Sequence, residues 1–394
     1  MKHWRAAVLL LLGLLAAGLV ASPAQAAPPQ LEARAWALIE ARTGDVLASH
    51  AARRRLPVAS TTKLMTAYVS LRELPLGQLV ETRPYDSIFG ESLLEVPPGT
   101  RISVRDLLYG LILRSGNDSA HDLAISAAGS VPRFVGQMNR YAAALGLTDT
   151  HYANPIGLDQ KGNFSSALDL TALARRLLRN PAFAKIADSR TAVLRSQRPP
   201  RRIETLNDFL VAVPWATGVK TGHTFGAGYV LVGSGKRKGV ELISAVLGAW
   251  TESARDGETE RLLDYGFSKY RKRVPVRRGE ALARPSIRYG DGELPLRASR
   301  RVAVGVRRGQ RLRTAVRAPA EVEGPLRRGA ALGRVAVYVG GSRIATVPLR
   351  AAHDVPAPTT LDRARGFAGD NALWLALAGF AILIGATIGR RLKR

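Results

Sequence analysis

The chain contains no cysteine. That absence removes disulfide bridges, thiolate metal sites and a cysteine nucleophile together. Acidic residues are scarce: 31 Asp and Glu stand against 58 Lys and Arg among 394 residues, a formal charge of +27. So basic a chain suggests an anionic partner, with nucleic acid the first candidate. The basic residues are spread along the sequence, however, and both chain ends carry addresses that point outside the cytoplasm, which sets nucleic acid aside. No twin-arginine pair marks the N-terminus, no internal repeat is evident and no His-Glu-x-x-His occurs. His121, His151 and His223 lack metal-ligand spacing, so a metallohydrolase finds no support. Gly233-Ser234-Gly235-Lys236-Arg237 superficially looks like a phosphate loop, but no glycine stands five positions before Gly235 and Arg237 occupies the Ser/Thr position. It reads as a tight turn.

What is present begins with the two addresses. Lys2 and Arg5 precede an almost purely apolar run, Ala6 to Val20, and Ala24-Gln25-Ala26 has the small-x-small form of a signal-peptidase site. A cleaved signal over 1–26 and a mature start at Ala27 are expected. At the other end Ala372 to Gly389 is uncharged and apolar, long enough as a helix to cover roughly 27 Å of hydrocarbon. Arg390-Arg391-Leu392-Lys393-Arg394 follows and marks the cytoplasmic side. The expectation is a single C-terminal transmembrane helix over 371–389 with a cytoplasmic tail, 390–394. The rest of the protein then sits on the periplasmic or extracytoplasmic side of the cell membrane.

Between the addresses, Ala35 to Glu40 and Asp45 to Ala48 flank Thr43-Gly44 and predict a β-hairpin. Apolar stripes over Asp106 to Leu113, Ala120 to Ala128 and Leu168 to Leu178 predict helices. Strands return at Gly228 to Val232 and Val240 to Leu247, and a closing helix is expected from about Glu258 to Tyr270. Strands at both ends with helices between them imply an antiparallel sheet completed by the chain's return, an α+β domain over 27–272. Short alternating runs from Val274 to Pro348, separated by Gly/Arg turns, predict a small all-β domain over 273–352. Its arginine pairs form a solvated face or an attraction to anionic lipid or wall polymer. A stalk with Pro356 and Pro358 occupies 353–370.

The chemistry gathers around Ser60-Thr61-Thr62-Lys63. Three residues apart at a helix start, the hydroxyl and the amine project from one face. The amine takes the hydroxyl's proton only if burial or nearby positive charge lowers its pKa. Downstream lie Ser115-Gly116-Asn117, before a helix expected near Ser119, and Lys220-Thr221-Gly222-His223. Ser115 is suited to pass a proton to a leaving amine, and Asn117 to hold the Lys63 amine or a substrate amide. Lys220 supplies positive charge that lowers the Lys63 pKa and attracts a carboxylate. An edge strand beginning at Lys220 suits pairing with an extended peptide, and the Ser60 and His223 backbone N–H groups are candidates for an oxyanion hole.

The three motifs in this order resemble those of penicillin-binding proteins and serine β-lactamases, and more closely the D-alanyl-D-alanine carboxypeptidases, the low-molecular-mass penicillin-binding proteins. The likeness extends to Asp118, Leu145-Gly146-Leu147-Thr148-Asp149-Thr150, Gly157-Leu158-Asp159 and Ala227-Gly228-Tyr229. It implies a serine β-lactamase/transpeptidase-like catalytic fold, a β domain and a membrane anchor. It also implies removal of the terminal D-alanine from peptidoglycan stem peptides through an acyl-Ser60 intermediate, acylation by β-lactam antibiotics, and no cofactor. The resemblance places an arginine after Lys-Thr-Gly, which makes Arg255 the candidate for the substrate carboxylate. Two departures stand out: the anchor reads as a full span rather than an amphipathic surface helix, and no second arginine appears near Leu206-Asn207. A serine β-lactamase and a catalytically inactive wall-binding protein are the rivals. The former lacks the Glu-x-x-Leu-Asn deacylation segment between Asn117 and Lys220.

Overall fold

The computed structural model describes residues 27–371, 374 and 376–381. The expected signal, most of the expected span and the basic tail lie outside these residues. Among the described residues no helix is long and apolar enough to cross a membrane. They divide into two units, one of residues 27–39, 44–234 and 243–265, the other of 40–43, 235–242 and 266 onward.

The first unit is built on a five-stranded sheet ordered Val46–His50, Ala35–Glu40, Val240–Ala249, Gly228–Arg237, Ala216–Thr224. The first two strands form the expected antiparallel hairpin. Ala35–Glu40 and Val240–Ala249 are buried at nearly every position, as strands covered on both faces must be, and both read as apolar runs for that reason. Ala216–Thr224, which carries Lys220-Thr221-Gly222, is the sheet's edge.

The helices lie between the strand groups in sequence. Helix Lys63–Glu73 is buried without interruption from Lys63 to Ser70, the mark of a helix surrounded by other elements rather than laid on a surface. Thr66 Oγ1 donates to Pro155 O and Ser70 Oγ to Thr66 O, so its polar residues are satisfied inside. Helix Val104–Leu113 begins where Ser103 Oγ accepts the Asp106 N–H, and helix Ala167–Leu178 where Ser166 Oγ accepts the Asp169 N–H. Such caps satisfy backbone donors that the first turn leaves open.

Three sequence expectations are corrected here. Gly233 to Arg237 is not a turn but the end of strand Gly228–Arg237. Gly233 serves close packing: a Cβ there would lie 2.6 Å from Thr259 Cγ2. The chain reverses one step later at Lys238-Gly239, both with positive φ, the pairing a tight hairpin requires. The closing helix runs Glu252–Ser268, starting earlier than expected because Thr251 Oγ1 accepts the Ala254 N–H and caps it. The predicted stalk contains a helix, Thr360–Asp370, with Thr359 and Asp362 exchanging cap hydrogen bonds; Pro356 and Pro358 precede it instead of interrupting it.

The second unit is all-β up to that helix. Its main sheet is ordered Ala281–Ala283, Leu296–Ala298, Ser342–Ala351, Ala331–Val339, Leu312–Arg317. Along Ser342–Ala351, Val347, Leu349 and Ala351 point into the core while Thr346, Pro348 and Arg350 face out. This period of two is the pattern from which the strands were predicted. Val276, Leu296, Val302, Val304, Val335, Val337 and Val339 are among the residues that share this core.

Candidate active site

Ser60 lies in a single 3-10 turn, Ala59–Thr62, that feeds directly into helix Lys63–Glu73. Ala59 before it is held at φ +47°, a left-handed conformation that an L side chain adopts only under constraint. The constraint comes from both sides. A Cβ on Gly157 would lie 2.0 Å from Ala59 O, and one on Gly222 2.8 Å from Ser60 N. Two backbones therefore close directly on the nucleophile's turn, and only glycine permits that approach.

Lys63 Nζ lies 2.9 Å from Ser60 Oγ and donates to Ile156 O at 2.7 Å. The residue has no solvent exposure. Burial pushes its pKa well below the ordinary lysine value, and the Lys220 charge pushes the same way; Glu91 and Asp118 oppose them. Lys220 is itself 1% exposed, donates to Thr221 O at 2.7 Å, and is brought down to about 7 by burial and then by Arg255. Lys220, Glu91 and Asp118 all act on the Lys63 amine, so the second and third motifs stand around it.

Ser115 is buried at φ +57°, in the joint between helices Val104–Leu113 and Asn117–Ala128. The second helix starts at Asn117, not near Ser119, so Asn117 is fixed as its first residue. Its Nδ2 donates to Glu91 Oε2 at 2.6 Å. Tyr85 donates its hydroxyl to the same oxygen at 2.6 Å, and the Ile88 N–H donates to Oε1 at 3.2 Å. Burial raises the Glu91 pKa, but the Asn117, Tyr85 and Ile88 hydrogen bonds and the Lys63 charge outweigh it, and the carboxyl is held below its usual range. Burial and Glu91 push the Tyr85 phenol up. The loop carrying Glu91 is tied to the second motif by its backbone. Asn117 N donates to Ser92 O, and the Leu94 and Glu95 N–H groups donate to Asp118.

At the edge strand, Thr221 is half-buried and His223 exposed, with the His223 ring stacked on Tyr229 at a centroid distance of 4.1 Å. The turn that follows is pinned by Asp159, which accepts from Thr224 Oγ1 at 2.7 Å and from the Gly226 N–H at 2.9 Å. Arg255 is 2% exposed and lies in the first turn of helix Glu252–Ser268. Its Nε and Nη2 bond Asp256 in a two-point grip, and Nη2 also meets Glu252 Oε1 at 2.9 Å. Two carboxylates thus share its charge, leaving Nη1 as the corner of the fork not so engaged.

The structure brings Ser60, Lys63, Lys220 and Gly222 together, places Asn117 beside Lys63's carboxylate neighbour Glu91, and sets Arg255 within electrostatic reach of Lys220. Sequence reasoning missed Glu91 and Tyr85, which stand in an unpatterned loop before the second motif. It quoted Asp118 and Asp159 only as part of a likeness, without their tasks. Asp118 has one visible signal, its place in the first turn of a helix, where a carboxylate meets open N–H groups.

Comparison with known proteins agrees with this geometry. Residues 22–251 match the family described as D-alanyl-D-alanine carboxypeptidase, and residues 270–357 match the penicillin-binding protein 5 C-terminal domain. The D-alanyl-D-alanine carboxypeptidase DacC of Escherichia coli is 34% identical over 338 residues, covering 82% of this chain and 84% of that protein. The crystal structure of DacD from Francisella tularensis superposes with a TM-score of 0.60 at 26% identity, covering 87% of this chain and 98% of that one. Penicillin-binding protein 5 from Haemophilus influenzae gives 0.58 at 28% identity, with 84% and 99% covered. The catalytic unit therefore has the penicillin-binding, transpeptidase-like α+β fold and is followed by an all-β domain. A serine met by a buried lysine, with a second and a third motif arranged around that amine and a relative that aligns along four-fifths of the sequence, places this chain in the D-alanyl-D-alanine carboxypeptidase family.

Proposed function

We propose that the protein is a serine-type D-Ala-D-Ala carboxypeptidase that removes the terminal D-alanine of peptidoglycan stem peptides through an acyl-Ser60 intermediate. The observation that carries this reading is the 2.9 Å approach of Ser60 Oγ to an amine with no solvent exposure. An amine whose pKa is lowered by burial and by a neighbouring cation is a better base for a hydroxyl at that distance. Lys63 takes the Ser60 proton as Oγ bonds to the carbonyl carbon of the penultimate D-alanine. Negative charge develops on the carbonyl oxygen, where the Ser60 and His223 N–H groups receive it. The carbon–nitrogen bond then breaks, and the leaving amine takes a proton through Ser115. Water attacks the resulting ester, Lys63 accepts its proton, and Ser60 is returned with the shortened acid released.

Asn117 holds the amide on the acyl side, and the edge strand from Lys220 through Thr221, Gly222 and His223 pairs with the extended substrate. Lys220 and Arg255 supply the positive field for the terminal carboxylate. Arg255 acts mainly through that field, since its fork is largely occupied. The same constellation accepts β-lactams, which present an amide carbonyl and a carboxylate in like positions. We further propose that 1–26 directs export and that 371–389 anchors the protein in the cytoplasmic membrane, readings supported by the sequence of those segments.

The test treats the purified protein with benzylpenicillin and maps the adduct by peptide mass, then follows D-alanine release from a stem pentapeptide. A single adduct on Ser60, absent in Ser60→Ala, together with D-alanine release, is the expected result. An adduct elsewhere, or penicillin turnover outpacing peptide hydrolysis, defeats the reading, the second outcome favouring a β-lactamase.

A further inference from the structure

The reaction above leaves Glu91 without a task, although among the described residues it is the one carboxylate from outside the motifs bonded to Asn117. Three donors already reach it: Asn117 Nδ2 and Tyr85 OH on Oε2, and the Ile88 N–H on Oε1. An ionised carboxylate has about four acceptor positions, so among the described residues one on Oε1 is unfilled. The side chain is half-buried rather than sealed. Its backbone is fixed to the second motif through Ser92, Leu94 and Glu95, so the charge stands at a set place beside Asn117.

That place has a definite relation to a bound acyl donor. The Asn117 amide nitrogen carries two hydrogens, and Glu91 takes one. With the other hydrogen on the carbonyl of the acyl-side amide, whatever is attached to that carbonyl comes next to Glu91. We infer that Glu91 forms an ammonium subsite, selecting acyl donors that carry a protonated amine on the residue or substituent preceding the acylating D-alanine or β-lactam ring. In a stem peptide the matching group is the side-chain amine of the diamino acid before D-Ala-D-Ala. This rests on the carboxypeptidase reading and assigns that site a preference for charge.

The experiment uses three penicillins differing in one substituent on the side-chain carbon: an amine, a hydrogen or a carboxylate. Their second-order rates of Ser60 acylation are measured on the wild-type protein and on Glu91→Gln, which keeps the shape and the acceptor for Asn117 and removes the charge. Wild type should order them ammonium, neutral, carboxylate, with about five- to tenfold between neighbours, the scale of a charge-assisted contact at a partly solvated site. Glu91→Gln should flatten the series to within about twofold, and Glu91→Lys should invert it. Tyr85→Phe, which leaves the carboxylate charged, should keep the order. The peptide arm compares Nα-acetyl-Lys-D-Ala-D-Ala with its Nα,Nε-diacetyl form and should show the same loss of preference in Glu91→Gln. If Glu91→Gln slows all three penicillins by one common factor, the residue only positions Asn117 and the inference fails while the acyl-serine reading stands. If no penicillin acylates Ser60 in any variant, the acyl-serine reading falls and takes this inference with it.

Discussion

Lys63 shows at the scale of one residue how activity and stability pull against each other. The fold holds its amine without solvent and with a second lysine charge nearby, and both push its pKa well below the ordinary lysine value. An unfolded chain would keep both lysines protonated up to about 10.5. Between about pH 7, where Lys220 titrates in the fold, and 10.5 the unfolded state thus binds more protons, and stability rises with pH. Lys63→Met should abolish peptide hydrolysis yet raise the unfolding free energy at pH 7 by about 1–2 kcal/mol, the cost of burying an amine being removed. Urea melts at pH 7 and 9.5 check this: the wild type should gain stability toward 9.5 more steeply than Lys63→Met. A variant less stable than wild type at pH 7 would contradict the account. Ser60 and Lys63 were legible in the sequence because a three-residue spacing on a helix start fixes where two side chains meet. Glu91 was not, because its nearness to Asn117 depends on a loop crossing with no periodicity to announce it.

At the scale of the element, the hairpin after Lys-Thr-Gly is held from outside by Asp159, which binds Thr224 Oγ1 and the Gly226 N–H. Removing the carboxylate frees the turn beyond His223 while leaving Lys63 and Ser60 in place. Asp159→Ala should cost about 1–3 kcal/mol of stability, the loss of two hydrogen bonds to a charged acceptor. It should also lower kcat/KM on D-Ala-D-Ala peptides by about tenfold, the scale of a small misplacement of the oxyanion donor. Thermal melts and steady-state assays read the two effects; an unchanged kcat/KM would show that the turn does not position the strand. Elements with a sustained period were readable, the buried helices and the alternating strands alike. Their boundaries were less so, because Thr251 and Thr359 act as caps only once the chain around them has folded.

For the whole molecule, the two units have separate cores and the family matches divide at the same region. A chain ending after residue 357 should keep its kcat/KM on small soluble peptides within about twofold, since the residues around Ser60 all belong to the first unit. The full-length protein should stay with the membrane through high salt and alkaline washing and leave it only in detergent. Release by salt alone would instead assign attachment to the arginine-rich face. The α+β order and the β domain were legible from the alternation of runs along the chain.

The edge strand has one further consequence. A sheet edge is a row of unpaired backbone groups, and a long open one recruits other edges into aggregates. Along Ala216–Thr224 the side from Ala216 to Lys220 is mostly buried, with helices Pro181–Ala187 and Asp208–Ala212 packed against it, and exposure rises only from Thr221 to Thr224. The opening is therefore too short to seed strand-on-strand growth between copies, yet long enough to take the end of a single peptide. The chain can be present at high concentration in the compartment where it works without its own binding site becoming the point at which it polymerises.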